Sequence, residues 1–293
     1  MEFLISSPDL KYLSYHTGTT NCVSWDDVYT DLVNHVPNIK NHISEHEHFG
    51  IGLQLSYHMI NELSNPSAFA ELRSFLSQNQ CYLYTVDGFN KALFDWKDAK
   101  LLNYHNRLAN LLSKWLPPHI TGCISTVPGT PKQFVNNKSD IKYIAQHWIA
   151  HAEYLVRLER ETGKQITLAI KPEAESFLET TQQSIDFLNQ QVFSTQACTE
   201  LSSRLNVNQQ DAEDLLRTHI TLCLDVAETP IEYTSFDAYT KSVESQGVSV
   251  GKKQISADTA NTSDLNKQIA NEVYEIMQRL DTKGNWIDAK RAA

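Results

Sequence analysis

Short runs rich in β-branched, aromatic and aliphatic residues recur along the chain, and each is followed by a longer stretch with helical spacing. The runs are "YLSYHTG" (12–18), "FGIGLQLS" (49–56), "CYLYTVDGF" (81–89), "ITGCISTVP" (120–128), "ITLAIKPE" (166–173), "ITLCLDV" (220–226) and "VSVGKKQIS" (248–256). Between them Val28, Leu32, Val36, Ile39 and Ile43, or Leu101, Leu108, Leu112 and Trp115, repeat at the interval of a buried helix face. A further helix is predicted from about 139 to 162, and Gly163 and Gly247 stand where helices should stop before the next strand. Strand-helix alternation predicts a parallel sheet, because parallel neighbours need long crossovers. Seven such units fit an α/β fold of the (β/α)8 TIM-barrel-like kind, with parallel strands inside and helices outside.

The eighth strand is missing or incomplete. After Ser256 the chain offers one amphipathic face, Leu265, Ile269, Val273, Ile276 and Leu280, and then "NWIDA" at 285–289, which is too short to count as a strand. We therefore divide the chain into a barrel (1–258) and a C-terminal helix with a charged tail (259–293). An unclosed parallel barrel leaves two strand edges unpaired, so a second copy or a partner subunit is expected to cover them.

Strand parity separates two faces. In "FGIGLQLS", Ile51, Leu53 and Leu55 share one face, while Gly50, Gly52, Gln54 and Ser56 share the other. Leu168 and Ile170 oppose Ala169, Lys171 and Glu173, and Leu222 and Leu224 oppose Thr221, Cys223 and Asp225. The apolar face of a barrel strand packs on the helices, and the other face looks into the barrel, whose C-terminal strand ends carry the active site. His16, Ser56, Asp87, Glu173, Asp225, Gln254 and Ser256 all close their runs, so one mouth should gather them. Charge placed there is costly unless paired or liganded, which predicts a small polar metabolite, a metal ion, or both. The plainer alternative is a solvated rim without chemistry. For substrate contact the candidates are His16, Gln54, Asp87, Thr126, Lys252 and Ser256.

Composition narrows the classes. With 41% hydrophobic residues the 293-residue chain can bury a large core, and no run approaches the ~18 apolar residues of a membrane helix. Its start lacks a secretory pattern, so a cytoplasmic protein without membrane insertion is expected. A formal charge of −10 without a basic stripe argues against nucleic acid. The five cysteines are scattered, so buried thiols are expected in place of disulfides or a zinc knuckle.

The pieces "SWDDVYTDLVNHVPNIK", "GIGLQLS", "YTVDGF", "ISTVP", "KPEAESFLETT", "CLDV" and "GKKQIS", in this order over about 258 residues, resemble the EboE-type metabolite traffic proteins. These form a branch of the xylose-isomerase-like TIM-barrel superfamily, which includes sugar-phosphate isomerases and epimerases. The resemblance implies an isomerase or epimerase that moves a proton on a sugar-like or anionic metabolite. It also implies a divalent metal (Mg, Mn or Zn) at Glu173, Asp225, Glu228 and Gln254, with Glu173 as ligand or base. The alternative is a non-catalytic metabolite-binding or trafficking protein that has lost the metal and has no other cofactor. Glu228 in place of a His of the family pattern, Lys171 and the missing eighth strand favour it, and Thr20 in place of another His and the short loop after Phe89 count against a working metal centre. Lys171 occupies a position where the family commonly has an acid. By parity Lys171 lies beside Glu173, where its charge either substitutes for a metal and, with Lys252, holds an anion, or forms a structural ion pair.

Other signals carry less. His42, His46 and His48 precede the second run, at the barrel's N-terminal face, and His147 with His151 belongs to an outer helix. No phosphate-binding glycine loop, dinucleotide fingerprint or nucleophile elbow is present.

Overall fold

The computed structural model describes residues 2–5, 13–17, 22–43, 49–89, 95–128, 130–135, 137–225 and 228–255. Thr20, His46, His48, Ser256, the expected 265–280 helix and "NWIDA" lie outside them. Among the described residues eight strands close into a ring in chain order. They are β1 (Glu2–Ile5), β2 (Leu13–Thr17), β3 (Phe49–Ser56), β4 (Cys81–Phe89), β5 (Gly122–Thr126), β6 (Ile166–Ile170), β7 (Ile220–Asp225) and β8 (Val250–Ile255). Strands β2 to β8 are the seven parallel runs seen in the sequence.

No eighth parallel strand occurs among the described residues, and its place is taken from the other end of the chain. Strand β1 runs antiparallel to β2 through Phe3↔Tyr15 and to β8 through Leu4↔Gln254. This corrects the expectation of open edges: the backbone of β2 and β8 is paired within the chain, so closure requires no partner subunit. The tetrapeptide "EFLI" carries no crossover helix and was not distinguishable from an irregular start.

Outside the ring stand α1 (Trp25–Ile43), α2 (Tyr57–Leu63), α3 (Pro66–Gln78), α4 (Ala99–Trp115) and α5 (Lys138–Thr162). Then follow α6 (Thr181–Phe187), a π-helical turn at Leu188–Val192, α7 (Thr195–Leu205), α8 (Gln209–His219) and α9 (Phe236–Glu244). Local chemistry sets their ends. The Asn137 side chain accepts from the N–H groups of Ser139 and Asp140 to start α5, and Gly163, at φ +69°, ends it in the left-handed conformation that favours glycine. Asp98 caps α4, and Asn65 followed by Pro66 starts α3.

The parity reading holds in space. Ile51, Leu53, Leu55, Leu168, Ile170, Leu222 and Leu224 belong to the hydrophobic core shared with the helices, whereas Cys123, Ala169 and Cys223 form a separate cluster. None of the five cysteines forms a disulfide, and four are buried. Two register shifts alter the pattern. Ile51 pairs with Leu83 but Gly52 with Thr85, so Tyr84 is the extra residue; Leu222 pairs with Val250 but Cys223 with Lys252, so Gly251 is the other. After the second shift Val250 faces the helices while Lys252, of the same sequence parity, turns inward. A Cβ at Gly251 would lie 2.2 Å from Thr221 Oγ1, so any larger residue at the bulge forces Thr221 to shift.

Candidate functional site

Lys252 Nζ on β8 lies 2.5 Å from Asp87 Oδ1 on β4, four places round the ring, so the pair spans the barrel interior. Ser125 of β5 completes the group: its hydroxyl donates to Asp87 Oδ1 at 2.6 Å and accepts from Lys252 at 3.0 Å. Lys252 is 1% exposed. Burial is the largest influence and pushes its ammonium toward neutrality, but Asp87 together with Cys223 and Cys123 outweighs it and keeps the pKa above the ordinary value. For the neighbouring thiols Lys252 offsets burial only in part. Burial raises Cys123 to about 12 and Cys223 further, so neither is a nucleophile near neutral pH.

A second pair sits at the mouth. Lys171, which follows β6, donates from Nζ to Asp225 Oδ2 at 3.0 Å and lies 3.8 Å from Glu228 Oε1. Its backbone N–H donates to Thr126 O at 2.8 Å, extending β6 one residue along β5. Burial opposes the charge on Lys171, yet Asp225 and then Glu228 hold its pKa well above the ordinary lysine value. Burial, aided by Asp225 and Glu173 and opposed by Lys171, raises the Glu228 carboxyl.

Glu173 departs from the strand-parity expectation. Strand β6 ends at Ile170, and a turn fastened by Ser176 Oγ donating to Glu173 O (2.7 Å) and Leu178 O (2.8 Å) lifts Glu173 to the exposed rim. The expected Lys171–Glu173 pair is therefore replaced by Lys171–Asp225. Beside this rim opens a cleft of about 670 Å³ whose walls include Glu228, Glu232, Tyr233, Tyr239 and Thr181. Tyr239 donates to Thr181 Oγ1 at 2.6 Å, and the rings of Tyr233 and Tyr239 are 4.9 Å apart.

The remaining candidates distribute unevenly. Gln54 is in register with Asp87 on the interior face. Thr126 is buried, its hydroxyl donating to Val127 O, and Gln254 is buried with Cys223 Sγ 3.9 Å from its Oε1. His16 is placed only by its backbone, opposite Gly52, and Ser256 is outside the described residues. Lys252 lies beneath the mouth, neutralised by Asp87, and cannot reach a ligand as a free cation. Ser125 and the Tyr233–Tyr239 wall were missed: Ser125 shares the inward parity of Cys123, but nothing marked it as a bridge, and the tyrosines belong to a loop and α9.

The ligand set expected for a metal does not fit a dication. Asp225 is engaged by an ammonium at 3.0 Å, and a divalent ion on the same carboxylate would face that positive charge at close range. Among the described residues no three His, Cys, Asp or Glu side chains are grouped to hold a metal ion. His42 is placed by its backbone alone. His147 and His151 stay on α5, where Nδ1 of His147 meets Trp96 O and that of His151 meets Asn106 Oδ1.

No protein-family model and no curated protein matches the chain. Solved structures that share its general arrangement include a xylose isomerase-like TIM barrel protein from Mycobacterium smegmatis in complex with magnesium. It is 11% identical at TM-score 0.45, with 76% of this chain and 64% of that one covered. A 3-keto-D-glucoside 4-epimerase from E. coli is 10% identical at TM-score 0.46, over 80% of this chain and 74% of that one. A D-psicose 3-epimerase from Clostridium cellulolyticum is 15% identical at TM-score 0.45, over 80% and 70%. With scores below 0.5, none of these likenesses bears on the chemistry of the mouth. No helix among the described residues is long and apolar enough to cross a membrane.

Proposed function

We propose that the chain is an isomerase or epimerase of EboE type that moves a proton between adjacent carbons, or across one carbon, of a small uncharged polyhydroxylated carbonyl compound. The observation that carries this reading is Lys171, an ammonium kept charged by Asp225 and set 3.8 Å from the Glu228 carboxylate at the edge of a cleft. A fixed ammonium suits a developing oxyanion, and a carboxylate with a raised pKa suits proton abstraction. Glu228 takes the proton from the carbon next to the carbonyl, the electron pair moves onto the oxygen, and Lys171 donates to that oxygen. Return of the proton to the former carbonyl carbon, with the hydroxyl proton of the carbon that lost it passing to the old carbonyl oxygen, gives the isomer; delivery to the opposite face of the same carbon by Glu173, with a proton drawn from solvent while Glu228 keeps the first, gives the epimer. Lys171 stays protonated, so it serves as neither base nor Schiff-base amine. Excess carboxylates at the rim disfavour the anionic substrate considered for Lys171 and Lys252.

The test is hydrogen exchange. The protein is incubated in D2O with a panel of neutral and phosphorylated ketoses and aldoses, and carbon-bound deuterium is read by NMR. Incorporation into a neutral sugar that Glu228→Gln and Lys171→Met abolish supports the enzyme. A second reading, a non-catalytic metabolite binder, is favoured by Asp87 and Asp225 both being occupied by lysines. Sugar binding without incorporation would select it and refute the enzyme; absence of both would remove the mouth as a site.

A further inference from the structure

A second cavity, of about 560 Å³, lies outside the barrel between α2, α3, α4 and α5. One wall is α4, where Asn103, Arg107, Asn110 and Lys114 follow at helical intervals of three and four; Ile60, Leu63 and Phe69 line the opposite side. Arg157, Arg204, Arg217, Lys132, Lys171 and Lys252 each meet a carboxylate, whereas among the described residues neither Arg107 nor Lys114 does. Arg107 donates to Asn61 Oδ1 at 2.7 Å and Ser64 Oγ at 3.3 Å, both neutral acceptors, and Lys114 Nζ sits 5.4 Å from the Phe69 ring centre. Among the described residues no carboxylate lines the cavity.

The amide of Asn106 is also oriented. His151 Nδ1 lies 2.7 Å from its Oδ1, so the imidazole N–H donates to that oxygen and the Asn106 NH2 remains a donor. The cavity thus presents two cations and an amide donor on one side and an apolar wall on the other. Two positive charges without a counter-ion in a protein of formal charge −10 form a local minimum for an anion.

We propose that this groove binds a small amphipathic organic anion, with its phosphate or carboxylate on Arg107 and Lys114 and its aromatic or alkyl body on Ile60, Leu63 and Phe69. The site is separate from the barrel mouth and does not depend on the function assigned there. Phenyl phosphate is the probe, titrated into the full chain by calorimetry and by NMR. Saturable binding is expected, falling roughly tenfold in Lys114→Gln, as loss of a charge-assisted contact predicts, and vanishing in Arg107→Gln/Lys114→Gln. Lys171→Met should leave the affinity unchanged, and the neutral isostere benzyl alcohol should not compete. Lys114 is exposed, so its variant keeps the test interpretable if the Arg107 change disturbs the α2–α4 contact. The proposal is overturned if phenyl phosphate fails to bind at about 10 mM, a free energy no better than ~3 kcal/mol. It is equally overturned if Lys114→Gln binds like the wild type, or if Lys171→Met is the variant that loses the probe.

Discussion

Replacing Lys252 by Met removes a buried ammonium, on a residue 1% exposed, from the Asp87 carboxylate, whose side chain is 15% exposed and which also accepts from the Ser125 hydroxyl. Breaking a buried pair by deleting one partner costs about 3–5 kcal/mol, because the other charge stays desolvated. At roughly 2–4 °C per kcal/mol for a domain approaching this size, the melting temperature should fall by about ten degrees. Asp87→Leu alone should cost a similar amount, since it leaves Lys252 buried without its counter-ion. The double variant Lys252→Met/Asp87→Leu removes both charges and should recover most of the loss, to within ~1–2 kcal/mol of the wild type. Urea unfolding of the four proteins followed by tryptophan fluorescence completes the cycle, with constant slope required for comparison. Single variants that lose less than ~1 kcal/mol, or losses that simply add, would show that Lys252 and Asp87 do not form the buried pair across the ring.

Three further outcomes follow from the same coordinates. His105 is buried against Trp96 with its pKa lowered to about 4 from 6.5, chiefly by burial. The neutral native ring forgoes a proton that the unfolded chain binds, so the contribution is intact above about pH 6.5 and lost as pH falls toward 4. It amounts to about 3 kcal/mol, and His105→Leu should flatten the pH dependence of the urea midpoint over that window; an unchanged slope would contradict it. Gly251→Ala should destabilise by about 1–3 kcal/mol through the clash with Thr221 Oγ1, and Thr221→Ala should restore much of this in the double variant; denaturant midpoints decide it. Deleting residues 1–5 uncovers the paired edges of β2 and β8, so light scattering should detect association beyond that of the full chain, and a deletion whose association state and stability match those of the full chain would refute closure by β1.

The parallel ring was legible because each crossover leaves two periodicities in the sequence, alternation in strands such as "FGIGLQLS" and a 3–4 spacing in helices such as α4. The mouth was legible only as far as alternation stayed regular. Asp225 continues the parity of Cys223, and it is indeed buried at the strand end. Glu173 lies beyond Ile170, where the backbone leaves the ladder, so parity no longer governs it. Lys252 was assigned inward correctly, but its partner was not identifiable: Asp87 is 165 residues away, and only closure of the ring brings β4 opposite β8. The bulge at Gly251 has the same character, since glycine alone does not distinguish a bulge from a turn. Strand β1 escaped because antiparallel closure by four residues leaves no crossover to read.

The distribution of charge then argues for two ligand preferences in one chain. Inside the barrel, among the described residues, Lys252 is paired with Asp87 and Lys171 with Asp225. Among the described residues the rim adds Glu173, Glu228 and Glu232, the last two on the cleft wall, with Glu228 partly offset by Lys171. A phosphorylated substrate entering there would meet surplus negative charge, whereas hydroxyl groups can donate to the same carboxylates. The groove on α4 has the opposite sign, with Arg107 and Lys114 uncompensated by any described carboxylate. Lysines read from the sequence as an anion site at the mouth are spent on internal pairs, and the chemistry suited to an anion is found instead on the outer helices. A neutral sugar and phenyl phosphate should therefore bind independently, each losing affinity only to substitutions in its own site.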